Sequence, residues 1–125
     1  MTRRLRSQDW FDNPDHIDLA VILTPAKTVP GILEECGQKG IRRAIIETAG
    51  FREYTEEGLR LEEEISRVAR QYDMRFVGPN CIGAMNMENG FCVPFPRLKK
   101  FIKRGDVSVV TQSGGDGMSV LNLLA

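Results

Sequence analysis

Two things are scarce here: cysteine in any regular pattern, and an excess of charge of either sign. The three cysteines, Cys36, Cys81 and Cys92, are an odd count without a CxxC pair, so neither a zinc site nor a disulfide framework is suggested and reduced thiols are the simplest reading. Seventeen basic and seventeen acidic residues cancel, which leaves no net basic field for a nucleic-acid partner. The basic clusters at Arg3, Arg4 and Arg6 and from Arg97 to Arg104 lie outside the apolar runs and read as solvated loops. No apolar run approaches the ~20 residues of a membrane span. The basic N-terminus is followed by Gln8, Asp9, Asp12 and Asp15 rather than an apolar stretch, which argues against a secretory signal. G-x-G-x-x-G is missing after the first apolar run, against a nicotinamide dinucleotide domain. The expectation is a soluble, cytoplasmic protein with neither nucleic acid nor membrane as partner.

What is present is a regular alternation. Leu19-Ala20-Val21-Ile22-Leu23 is an unbroken apolar run, as in a strand buried on both faces. Val29, Ile32, Leu33 and Cys36 follow at helical spacing, with Thr28 as candidate N-cap, Pro30 in the first turn, and Gly37 and Gly40 as the stop. Ala44-Ile45-Ile46 reads as a second strand. Thr55 opens the longest helix, with Glu56 and Glu57 in its first turn and Leu61, Ile65, Val68, Ala69 and Tyr72 as its apolar face. Met74 to Val77 is a third strand. The stretch 81–104 lacks a clear period, although Met85 to Met87 suits a short strand. Val107 to Val110 reads as another strand, and Met118 to Leu124 as the start of a helix that Ala125 cuts short. Strand and helix in alternation predict a parallel sheet: an incomplete, doubly wound, Rossmann-like α/β domain over 1–96, a linker over 97–105, and a further strand–helix unit over 106–125.

Ligands of open parallel sheets bind beyond the carboxyl ends of the strands. Those ends carry Thr24-Pro25-Ala26, Glu47-Thr48-Ala49-Gly50, Gly78-Pro79-Asn80-Cys81 and Gln112-Ser113-Gly114-Gly115, small residues that let a ligand approach the backbone. Any one such loop is also just a tight βα turn; four on one rim point to a ligand cleft. Bare amides at Ser113, Gly114 and Gly115, where a helix begins, favour phosphate. Cys81 has no histidine to activate it and reads as a small thiol packed on its turn. Glu62, Glu63 and Glu64 point in different directions around a helix, so a solvated face accounts for them and no metal site is expected. His16, the single histidine, reads as a surface residue.

The same loops carry a family resemblance. Asp18-Leu-Ala-Val-Ile, Pro25, Glu35-Cys-Gly-Gln-Lys-Gly40 and Ala49-Gly50-Phe51 resemble the CoA-binding domain of the NDP-forming acyl-CoA synthetases, the superfamily that includes the succinyl-CoA synthetase α subunit. Arg75-Phe-Val-Gly-Pro-Asn-Cys-Ile-Gly83 resembles its GPNC[LIP]G loop. Gly105-Asp-Val-Ser-Val-Val-Thr-Gln-Ser-Gly114 is similar to the opening of its next, flavodoxin-like domain. The resemblance implies part of an enzyme interconverting acyl-CoA, phosphate and ADP or GDP with carboxylic acid, CoA and nucleoside triphosphate. It implies CoA contacts at Pro25, Ala26, Glu47, Thr48, Ala49, Asn80 and Cys81, and a phosphoryl group facing Ser113, Gly114 and Gly115. Nothing before Asp18 supplies the family's Gly-rich phosphate loop, and its phosphohistidine lies further along than this chain reaches. The expectation is therefore a chain truncated at both ends, inactive alone, with ADP/ATP or GDP/GTP and Mg2+ on missing portions. Its partners would be CoA, acyl-CoA and the remaining domains or an ATP-grasp subunit. Succinate-type members place an aromatic hydroxyl early in the last helix, where this chain has Met118. The alternative reading is a non-catalytic CoA- or nucleotide-binding regulatory module.

Overall fold

A computed structural model of the chain describes residues 16–94 and 105–124. Three short strands, β1 (Ala20–Ile22), β2 (Arg43–Ile46) and β3 (Arg75–Val77), form a parallel sheet in the order β1-β2-β3. Ala20 stands opposite Ala44, Ile22 opposite Ile46, and Ala44 opposite Phe76. Helices α1 (Val29–Gln38) and α2 (Glu56–Gln71) make the two crossovers and pack against each other. The strand order does not reverse among the described residues, so both helices cover one face of the Rossmann-like sheet.

Alternation along the strands decides which side chains reach those helices. Ile22, Ala44 and Ile46 join Val29, Leu33 and Cys36 of α1 and Ile65, Val68 and Ala69 of α2 in one buried core. Each fully buried aliphatic side chain there contributes roughly 1.5–3 kcal/mol. On the opposite face Ile45 is 3% exposed, while Val77 beside it is 52% exposed.

The helix boundaries follow local chemistry. Thr55, in extended backbone, accepts the Gly58 N–H at 3.0 Å and caps α2, with Glu56 and Glu57 next to the positive end of the dipole. Thr28 differs from expectation: its hydroxyl makes no cap but donates to the Pro25 carbonyl at 2.7 Å, with Thr24 Oγ1 at 2.9 Å. The 3₁₀ turn at Ala26–Thr28 already holds Thr28 in helical backbone, so its side chain faces back into the loop. Gly37 is not a stop but part of α1, where a Cβ would fall 2.3 Å from the Tyr72 ring. Tyr72 in turn donates its hydroxyl to Glu34 of α1, a bond that raises the phenol above its usual pKa.

Beyond β3 the outcome is mixed. Met85 does lie in a strand, β4 (Gly83–Asn86), which pairs antiparallel with an unexpected β5 (Phe91–Pro94). Helix α3 (Gly114–Leu124) starts four residues before Met118. Val107 to Val110, expected as a strand, is not one: the segment is irregular and Val110 is 99% exposed. A single strand cannot satisfy its own backbone, and no sheet edge pairs with these residues among those described. The expected linker at 97–105 and the boundary at 96 lie almost wholly outside the described residues. Among the described residues no helix is long and apolar enough to cross a membrane.

Candidate functional site: the carboxyl rim of the sheet

Three of the four loops singled out by sequence meet at one rim, where backbone-directed bonds link them in series, and the fourth lies against the end of the third. Thr48 donates its hydroxyl to the Thr24 carbonyl at 2.8 Å, tying the β2 loop to the β1 loop. A Cβ on Gly50, whose φ is +102°, would stand 3.4 Å from the Ala26 methyl. The Asn80 N–H donates to the Thr48 carbonyl at 2.9 Å, which attaches the β3 loop. Ile82, at the end of that loop, lies against the start of α3: a Cβ on Gly114 would fall 2.4 Å from its Cγ2.

The β3 loop has little freedom. A Cβ on Gly78, φ +103°, would come 2.2 Å from the Ile46 carbonyl oxygen, so only glycine lets this turn lie across the end of β2. Cys81 directs its thiol to the same carbonyl at 3.4 Å and is half-buried, in keeping with a packed thiol. Asn80, in left-handed backbone at φ 56°, leaves its side chain exposed. Pro25 and Ala49 are also exposed, while Ala26 and Thr48 are half-buried.

Two carboxyl groups shape the β2 loop. Glu53 accepts the Gly50 and Phe51 N–H groups at 2.8 and 3.2 Å. Burial works against its charge, but these backbone donors outweigh burial and hold its pKa below the usual glutamate value. Glu47 has the opposite surroundings. Its Oε1 is dry and has no hydrogen-bond partner, and burial pushes its pKa up.

At the last loop, Ser113 is the N-cap of α3: its hydroxyl accepts the Asp116 N–H at 3.3 Å and its carbonyl the Gly117 N–H at 3.0 Å. Thr111 braces it, accepting the Ser113 N–H at 3.1 Å. Gly115 is exposed and Gly114 half-buried. Asp116 lies in the same first turn and already places a negative charge by the positive end of the dipole.

Other candidates lie away from the rim. His16 pairs with Asp18 at 3.4 Å on the open surface. A hollow of about 240 Å³ lined by Arg52, Glu62, Glu63, Ser66 and Arg70 holds an ion pair, with Arg52 Nε 2.9 Å from Glu62. No group of three or more His, Cys, Asp or Glu converges on a metal position among the described residues. Sequence reasoning missed the β4–β5 hairpin that flanks the rim. Its signal was Asn89-Gly90 ahead of Phe91-Cys92-Val93, a hairpin turn dipeptide before a strand-forming run; Gly90 has φ 75° and Asn89 accepts the Phe91 N–H at 3.0 Å.

Parallel strands with crossover helices, ending in glycine-bearing loops on one rim, define a Rossmann-like ligand-binding domain. The comparisons with known proteins make the assignment specific. Residues 3–87 match the CoA binding domain family, and the chain belongs to that family. It is 45% identical over 104 residues to a 4-hydroxybutyrate–CoA ligase (ADP-forming) of Nitrosopumilus maritimus, covering 83% of this chain and 15% of the relative. It is 42% identical over 108 residues to subunit alpha of an acetate–CoA ligase (ADP-forming) II of Pyrococcus furiosus, covering 86% and 23%. Among solved structures, the apo form of a dinucleotide-forming acetyl-coenzyme A synthetase 1 from Ca. Korarchaeum cryptofilum superimposes with a TM-score of 0.81 at 34% identity, over 90% of this chain and 24% of that one. The chain thus spans less than a quarter of the length of each of these three proteins.

Proposed function

We propose that this chain is the CoA-holding portion of an NDP-forming acyl-CoA synthetase, with CoA lying along the rim formed by residues 24–26, 47–50 and 78–83. The observation that carries the reading is the chain of bonds Thr24–Thr48–Asn80, which holds three small-residue loops in register without using the exposed faces of Pro25, Ala49 or Asn80. In this reading Pro25 and Ala26 border the nucleotide end of CoA. Glu47, Thr48 and Ala49 line the middle, and Asn80 and Cys81 the pantetheine end. Ser113, Gly114 and Gly115 face the phosphoryl group. Because Ser113 and Asp116 already occupy the end of α3, the free amides there make a weaker anion site than a bare helix terminus. Burial already raises the proton affinity of Glu47, so the middle of the rim suits an uncharged pantetheine better than a phosphate.

The chemistry itself, acyl-CoA and phosphate with ADP or GDP and Mg2+, would be completed by other domains or by a nucleotide-binding subunit, and 106–125 would open the next domain. The role of this portion is positioning, which converts an encounter into a held geometry. Titration calorimetry of the chain with CoA tests the reading. Weak binding is expected, abolished by Asn80→Arg, which fills the rim without touching the core. An absence of CoA binding up to millimolar ligand overturns the reading.

A further inference from the structure

We propose that Glu47 is a protonated latch, its carboxylic O–H donating to the Val93 carbonyl and fastening the β4–β5 hairpin to the sheet rim, so that ionising Glu47 releases the hairpin. The argument starts from Gly83. A Cβ built there would lie 1.8 Å from the Val93 carbonyl oxygen and 2.9 Å from Glu47 Oε1, which bounds the gap between the two oxygens at about 4.7 Å. Both are acceptors when glutamate is ionised. A buried acceptor left without a donor is disfavoured. Glu47 Oε1 is the one buried side-chain nitrogen or oxygen without a partner among the described residues. A proton on that oxygen removes the conflict, since a carbonyl has a second lone pair to offer beside any ladder bond. Glycine at 83 is what permits the approach, because a Cβ there would collide with both oxygens.

No neighbouring charge explains the state of Glu47; burial is the cause of its raised proton affinity. On the neighbouring elements, Cys81 and Cys92 are free thiols, and Glu53 is engaged by Gly50 and Phe51. Lys27 pairs with Glu57 at 3.0 Å. Glu88 sits in the far hairpin turn, and Asp116 at the start of α3. The hairpin otherwise reaches the sheet through the packing of β4 on β2, so one bond at its root has leverage. The sign follows from the raised pKa: the latch is closed below the ordinary glutamate range and lost as pH rises through the higher folded-state value.

The test is a carboxyl-carbon NMR titration of Glu47 in the whole chain, together with hydrogen exchange of the β4 and β5 amides against those of β2, corrected for intrinsic rates. Expected is a Glu47 titration above about 4.3, the unperturbed value, with hairpin protection falling in all by about tenfold per pH unit of upward shift while β2 is unmoved. Glu47→Gln, whose amide still donates to Val93, keeps protection with no pH step. Glu47→Ala loses protection at every pH. Titration of Glu47 at or below the unperturbed value, a pH step surviving in Glu47→Gln, or equal protection in the two variants overturns the latch. None of these measurements uses CoA, so the latch and the ligand reading fail separately.

Discussion

Ala20-Val21-Ile22 and Val107-Ser108-Val109-Val110 are both strand-forming by composition, yet the first is β1 and the second is irregular. The difference lies in their neighbours. β1 has β2 beside it in register and the core helices beneath it, whereas Val110 is bare to solvent. A β-branched run specifies a strand only where an edge and an apolar face await it, because β propensity is largely packing and pairing. The helical comparison points the same way. α2, capped by Thr55 and buried along Ile65, Val68 and Ala69, is held by tertiary contact, while α3 leaves Leu123 exposed.

Substitutions can widen or close this contrast. The largest effect is expected at Leu33, fully buried between α1 and the sheet: Leu33→Ala should cost about 2–5 kcal/mol, read as a fall in the urea midpoint, and a loss under 1 kcal/mol would mean that the core is loosely packed. Next comes Gly78→Ala, which forces a Cβ at positive φ into the Ile46 carbonyl and should cost about 1–3 kcal/mol while also weakening CoA binding in calorimetry. The smallest belongs to Val110→Ser, expected within about 0.5 kcal/mol of the parent. A larger loss of stability there would show that the 107–110 segment is packed after all, and the comparison would break.

The parallel sheet, its two helices and the rim loops were legible in the sequence because each is set locally: apolar runs of strand length, helical periodicity, and small residues at the turns. Other features were not. Thr28 looked like a cap, but the preceding 3₁₀ turn redirected its hydroxyl to Pro25. Strand β5 was hidden by Cys92 and the nearby prolines Pro94 and Pro96, although Asn89-Gly90 announced its turn. Val107–Val110 misled because strand pattern carries no information on whether a partner is present. At the site, the loop positions could be read from spacing. The dry oxygen of Glu47 could not, since it depends on β4 crossing near the end of β2.

The bonds that run from Thr48 to Thr24 and from Asn80 back to Thr48 have one more implication. If CoA lies along this rim as proposed, it would find its seat already assembled, so little ordering of the loops would be left to oppose association. On that proposal, the exposed residues 25, 49 and 80 would change what is recognised, while the inward lattice of hydroxyl and amide would keep the place of recognition the same.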